Sequence, residues 1–357
     1  MVDYAVIGIG INCCQQSGEF PPEIREIAGS LSTVTGADVD RSKVAAAMMD
    51  ALHQMSKTLF SDKAAMLERY RADCINDFAL EYLDQYTGEK PFFMTISQIE
   101  PHHQNDRNHY EGPIGSKEKY ANFVLPEDLK ALGGNAAEEY PDYLGQCASL
   151  DENLGKLVAK LKEKGLYDNT VIIFAADHGS HFKTRNTDAH LYGYDDYKRS
   201  CHDGCLHVPL VIAGGPFSGG KVVEELVSTE SLPKTFLALA GVDVGDRMIG
   251  ENLLDVVEKK NDNRPNEVFA QISESRVGRC IRTPEFTYSV YAPGVHGGVA
   301  AASDVYADDF LYDMRVDPYQ LNNVVSDPAY AGIKADLRQR LLNWLEKAEG
   351  AHPTITD

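Results

Sequence analysis

Asp177 and His178 are adjacent, and Gly179 follows them. A carboxylate and an imidazole at that spacing can share a divalent cation or pass a proton. Two more histidines, His102 and His103, follow Glu100-Pro101, and lysines stand at 183 and 198. A lysine ammonium beside such a set can neutralise an anionic substrate. A second set, Cys201 and Cys205 with His202 and His207, carries zinc-type donors, but no second cysteine pair at matching spacing accompanies it. Each residue also has a bland reading. Asp177 can cap a following helix, His178 can be a loop imidazole, and either lysine can be a solvated loop residue.

The elements around these residues favour the chemical reading. Val171 to Ala176 is a short, uniformly apolar run, the pattern of a strand buried on both faces in a parallel sheet. It ends at Asp-His-Gly, and sites in open α/β sheets lie at that carboxyl edge. Upstream, Leu144, Cys147, Leu150, Leu154, Leu157, Val158 and Leu161 recur at helical spacing, so a helix is expected from Tyr143 to a cap at Gly165. Val208 to Ile212 reads as a second buried strand, and Pro91 to Ser97 as a third that leads to the histidine pair. Adjacent histidines point in different directions, so one of the two is expected to face a site. Residues 107–141 show little periodicity and read as a surface excursion. Helices are also expected after Asp40, over 67–86, after Ser228 and over 333–348.

The chain has 357 residues and a formal charge of −20. That balance argues against nucleic acid and anionic membrane surfaces, which reward a basic face. It leaves room for a small anionic substrate held at a cation. Seven cysteines without regular spacing imply no disulfide framework. No apolar run approaches the roughly 20 residues of a membrane span. The first residues lack a basic start and a cleavage site, so a cytoplasmic protein is expected.

The stretch "SLDENLGKLVAKLKEKGLYDNT", the strand ending in Asp-His-Gly, Lys198 and "VPLVI" resemble, in that order, the sulfatase family of the alkaline-phosphatase superfamily. So do "YRADCINDFALEYLDQYTGEKPFFMTIS", "GENLLDVV", "IRTPEFTYSV" and "DFLYDMRVDPYQLNNVVSDP", the last with Gln320 where the family signature usually has Glu. The resemblance covers about residues 69–350. It implies an α/β fold: an incomplete alkaline-phosphatase-like sandwich, with a mixed, mostly parallel sheet flanked by helices. A small α+β carboxyl-terminal subdomain would follow. It implies hydrolysis of aryl or carbohydrate sulfate monoesters at a divalent metal, calcium being expected. Asp177 and His178 match metal positions, His102 the family's Pro-His histidine and Lys198 a lysine on the sulfate oxygens. His103 and Lys183 are further substrate-binding candidates. Imidazole at 178, where many relatives have Asn, suits transition metals better than calcium. The family's nucleophile is a formylglycine made in a Cys/Ser-x-Pro-x-Arg motif, and none of the seven cysteines begins one. Catalytic inactivity of this chain is therefore expected, with a non-catalytic protein that binds sulfated ligands as the alternative. A phosphatase or phosphodiesterase also fits the shared metal site.

Residues 4–12 form a strand-like run with Gly8 and Gly10, but Cys13 stands where a dinucleotide fingerprint needs its third glycine. With "FPPEI", "AGSL" and "DRSKVAAAMMDAL" this run resembles biotin-protein ligases over about 2–60, Gly10 and Asn12 matching positions in the biotinyl-adenylate pocket. The family's adenylate loop and small barrel have no counterpart, so a non-catalytic remnant is expected. The expected organisation is a partial ligase-like segment over 1–70, a sulfatase-like core over 71–245 and a carboxyl-terminal subdomain over 246–357. No Gly/Pro/Ser-rich linker marks the join near residue 70, which suggests a gene fusion or a gene-model artefact.

Overall fold

Asp40 opens a helical turn. Its Oδ1 accepts from the backbone N–H groups of Ser42 (2.9 Å) and Lys43 (3.3 Å), two of the donors that a helix start leaves without an internal partner. The structure, a computed structural model, describes residues 40, 42–44, 47, 50, 75–103, 109–185, 197–243, 245–260, 263–274 and 276–357. Gly10, Asn12 and the ligase-like strand lie outside the described residues. The chain divides into two units, Met1–Glu81 and Tyr82–Asp357. In the first, the described residues form the Asp40 turn and the start of helix α1 (Ile75–Gln85). No described helix is long and apolar enough to cross a membrane.

In the second unit the chain leaves α1 and runs extended through Pro91–Ile99. Here the structure corrects the expectation of a buried strand. Burial alternates residue by residue, with Phe92, Met94 and Ile96 half-buried and Phe93 and Ile99 exposed. That period of two is a strand's, yet no sheet ladder forms there among the described residues. The expected surface excursion is also corrected. Residues 109–141 carry α2 (Ser116–Lys119), α3 (Glu127–Leu132) and the start of α4 (Ala136–Glu163). Tyr110, Leu129, Ala136 and Phe182 bury together with Tyr140 and Tyr143 packed on them. Aromatic packing, which has no sequence period in a loop, holds this region. Helix α4 ends in a Schellman motif: Leu166 N donates to Leu161 O, Gly165 N to Lys162 O, and Gly165 takes the left-handed conformation that glycine tolerates.

Strand β1 (Ile172–Ala175) pairs with β2 (Leu210–Ala213), and the two run antiparallel, Ile172 opposite Ala213 and Ala175 opposite Leu210. Neither strand is buried on both faces; Ala175 and Val211 are exposed. The uniform apolar run reads as doubly buried, but among the described residues β1 has a neighbour on one edge only. Between β1 and β2 lies the short helix α5 (Asp203–Leu206). Helices α6 (Ser231–Leu239) and α7 (Leu253–Val257) follow, the second capped by the Asn252 side chain.

The carboxyl-terminal part is a five-stranded sheet in sequence order, β3 (Val268–Glu274), β4 (Arg276–Arg282), β5 (Phe286–His296), β6 (Val305–Asp313) and β7 (Thr354–Thr356), with helix α8 (Ala331–Glu349) on it. Every described strand pair is antiparallel except β6 with β7, so the expected predominance of parallel pairing is not seen among the described strands. Leu337, Leu341 and Leu345, four residues apart on α8, pack with Val277, Ile281, Tyr288, Val290 and Leu311 in one core. Each such side chain contributes roughly 1.5–3 kcal/mol by burial. Arg279 is nearly inaccessible and bonds the Glu349 carboxylate through Nε (2.6 Å) and Nη2 (3.1 Å).

Candidate active site

The turn after β1 is laced to the 197–206 loop. Gly179 N donates to Cys205 O (2.8 Å) and His181 N to Tyr197 O (2.7 Å). A Cβ on Gly179 would lie 2.2 Å from Gly204 O, so glycine alone permits this approach. The lacing brings Lys198 to the carboxyl end of β1. Its ammonium lies 3.0 Å from His178 Nε2 and 3.5 Å from His102 Nε2. The Tyr197 hydroxyl is 2.7 Å from the same His102 nitrogen. His102 arrives from the other side, at the end of the extended 91–99 segment.

The protonation pattern at His178 follows from its neighbours. Nδ1 lies 2.9 Å from the Gly179 carbonyl, which can only accept, so Nδ1 carries the proton. Nε2 is then an acceptor, which suits an ammonium. Asp177 is largely exposed; its Oδ1 accepts from His178 N (2.9 Å), and Oδ2 lies 3.6 Å from His178 Nε2.

Of the sequence candidates, His102, His178 and Lys198 come together with Asp177 beside them. His103 does not join them as a surface group. It is buried, its ring 4.8 Å from that of Tyr197 and 5.1 Å from that of Tyr110, because the second of two adjacent histidines turns into the aromatic cluster. Lys183 follows Phe182 in a left-handed turn, φ 60°, while Lys198 makes the contacts to the two histidines. The cysteines of the zinc-type set are core residues. Cys201 packs with Cys280, Phe310 and Tyr312, and the Cys205 thiol faces Tyr197 O.

The 197–206 loop is anchored on the carboxyl-terminal sheet. Arg199 pairs with Glu274 at the end of β3 (2.7 Å), and that bond holds the Glu274 carboxyl below its ordinary range. Asp203 receives Arg282 from β4 on both oxygens (3.1 and 3.2 Å). Gln320 is buried, with its Oε1 accepting from Asp203 N (2.8 Å) and its Nε2 donating to Thr287 Oγ1 (3.2 Å) and Asp203 Oδ1 (3.4 Å). His202 stacks on Phe310 (4.2 Å) with Tyr312 and Ser200 within reach of its nitrogens. Burial, then the charges of Arg185, His181 and Arg276, push this imidazole well below its ordinary value.

The match to the family described as "Sulfatase" spans residues 39–242, more than half of the chain, and includes His102, Asp177, His178 and Lys198. The chain belongs to the sulfatase family. A second match, to the family described as "N-sulphoglucosamine sulphohydrolase, C-terminal", covers residues 191–347. The sulfatase match starts upstream of residue 69, where the resemblance read from the sequence begins. The ulvan-active sulfatase of Formosa agariphila is 24% identical over 295 residues, 76% of this chain and 52% of that protein. Arylsulfatase K of Gallus gallus is 28% identical over 192 residues, 51% of this chain and 32% of its own length. The chain thus spans about half of the first relative and about a third of the second. Two solved structures share the fold. The putative sulfatase yidJ from Bacteroides fragilis has a TM-score of 0.61 at 20% identity, covering 76% of this chain and 58% of the other. BT4656, solved with its substrate D-glucosamine-2-N,6-O-disulfate, has a TM-score of 0.58 at 20% identity, covering 78% and 70%.

Sulfatases generally use a divalent metal. Asp177 Oδ2 and His178 Nε2 are close enough to share one ion. Calcium, however, takes six to eight oxygen ligands, and among the described residues no group of three or more His, Cys, Asp or Glu converges. Two donors, one of them already facing the Lys198 ammonium, do not make that shell. The described residues therefore do not fit calcium by themselves. Tyr197 is the site residue that the sequence reading missed. Its only signal was adjacency to Lys198, since nothing in "DYKRS" shows that a hydroxyl reaches back to residue 102.

Proposed function

We propose that the protein is a sulfatase-type binder of sulfate monoesters, with carbohydrate sulfates as the favoured class and hydrolysis of the ester as the ancestral reaction. The convergence of Lys198, His102 and His178 at the end of β1 carries this reading. A sulfuryl group is tetrahedral and anionic. Lys198 would neutralise its oxygens, with His102 beside it in the same anion-binding set. The ulvan-active relative and the glucosamine-disulfate complex support sulfated sugars over small aryl sulfates. Asp177 and His178 are the proposed donors to a divalent metal, which would need further ligands.

The same reading makes this chain inert alone. No cysteine begins Cys-x-Pro-x-Arg, so the formylglycine through which the family makes its covalent step has no cysteine precursor in this chain. We place the site-bearing core over 71–245 and the carboxyl-terminal subdomain over 246–357, with His103 as packing and Lys183 as a peripheral contact.

The test combines binding and turnover on the full chain with calcium present. Inorganic sulfate should bind by calorimetry and bind more weakly to Lys198→Ala. A chromogenic aryl sulfate should turn over no faster than with Asp177→Ala. Absence of sulfate binding to the wild-type chain would overturn the binding reading. Turnover abolished by Asp177→Ala would instead mean that another residue serves as nucleophile.

A further inference from the structure

Tyr197 has no role in the chemistry above, yet it meets His102, His178 and Lys198. It is almost fully buried. Its carbonyl accepts from His181 N (2.7 Å) and faces the Cys205 thiol (3.8 Å), so its backbone is pinned on both sides. Its ring lies 4.8 Å from His103 and stands at 85° to His102, 5.6 Å away. The Lys198 ammonium is 5.4 Å from the ring centre. Packing, and not solvent, therefore decides where its hydroxyl points, and it points at His102 Nε2 from 2.7 Å.

That nitrogen has a second polar neighbour, the Lys198 ammonium at 3.5 Å. An ammonium only donates. A proton on Nε2 would face it with like polarity, so Nε2 is the natural acceptor and the phenol the natural donor. The contrast between 3.5 Å to His102 and 3.0 Å to His178 is then informative. The phenol fills the His102 lone pair, and the ammonium stays at arm's length with a hydrogen left for an incoming oxyanion.

We propose that Tyr197 is a positioning residue: it donates to His102 Nε2, keeps that imidazole in its Nδ1–H form, and so prevents Lys198 from being drawn onto His102 and away from a bound sulfuryl oxygen. The second half rests on the anion-binding reading above; the first half does not.

The two halves have separate readouts. In the full chain labelled with nitrogen-15 histidine, the His102 signals are assigned by their loss in His102→Gln. Nε2 should resonate as an unprotonated, hydrogen-bonded acceptor and Nδ1 as N–H; a protonated Nε2 in the neutral ring overturns the proposal without any further variant. In Tyr197→Phe, which keeps the ring and its packing, the His102 nitrogens should move toward a mixture of tautomers. Inorganic sulfate should bind about three- to tenfold more weakly, the scale of one ordinary hydrogen bond. Unchanged His102 signals in that variant overturn the proposal. If inorganic sulfate fails to bind the wild-type chain, the anion site fails, and the tautomer spectrum still decides the role of Tyr197.

Discussion

On the β3–β7 sheet, Val277, Ile281, Tyr288, Val290 and Leu311 are sealed under Leu337, Leu341 and Leu345 of α8. Around β1 and the 91–99 segment, Phe93, Ile99 and Val211 face solvent, and the described ladder is two strands wide. Yet the candidate chemistry belongs to the second region. The difference teaches how the site is held. His178 and Lys198 owe their places less to the ladder beneath them than to the anchoring of the 197–206 loop on the better-packed sheet through Arg199, Asp203 and Gln320. One region supplies the packing and the other the candidate chemistry, and the loop joins the two.

The strongest challenge to this contrast is Arg279→Ala. It leaves Glu349 without its buried partner and should cost about 3–5 kcal/mol. The chain's single tryptophan, Trp344, stacks on Phe269 in the same region, so urea unfolding followed by its fluorescence reads the loss directly. A cost under about 1 kcal/mol would mean that this region is not the stabilising one.

Gln320→Glu is next. The new carboxylate would face that of Asp203 where an amide now donates, at an expected cost of about 1–3 kcal/mol. Hydrogen exchange should rise over residues 197–206 more than over β4 and β5. Equal increases in both would break the idea of a joining loop.

Acid should act more mildly at the same joint. His202 binds its proton less readily folded than unfolded, so the unfolded chain takes up more protons as pH falls through the ordinary imidazole value of 6.5. The stability it contributes is present above that value and declines below it. Protection of the 197–206 amides should therefore fall between neutral pH and pH 5, and fall less in His202→Gln. Protection that is flat across this range would remove His202 from the joint.

The smallest effect expected is that of Phe93→Ser. A side chain 71% exposed should change stability within about 0.5 kcal/mol. A loss of several times that size would show that the exposed stripe is covered in solution, and the contrast between the regions would weaken.

Much of this was legible in the sequence where period and composition speak. Helix α4 was expected from Tyr143, although it starts at Ala136; Pro141 inside it reads as a breaker. The Asp177-His178 turn, Lys198 and His102 came from motif position, and the structure brings them together. The antiparallel pairing of β1 and β2 was not legible, because an apolar run does not encode the direction of its neighbour. Nor was the packing of 109–141, which rests on rings whose spacing has no period. Gln320 was noticed as a departure from the family signature, but its reason appears only once Asp203 is seen beside it, 117 positions away.

The extended segment from Pro91 to Ile99 also bears on how the chain meets proteases. An endoprotease takes its substrate as an extended strand with one side chain presented outward, and Phe93, 71% exposed in a segment that joins no ladder among the described residues, offers such a bond. A chymotryptic nick after Phe93 leaves His102, Asp177, His178, Tyr197 and Lys198 on a single fragment. A nick there would leave the candidate site on the distal fragment, and trimming would shorten the protein without dividing its candidate residues.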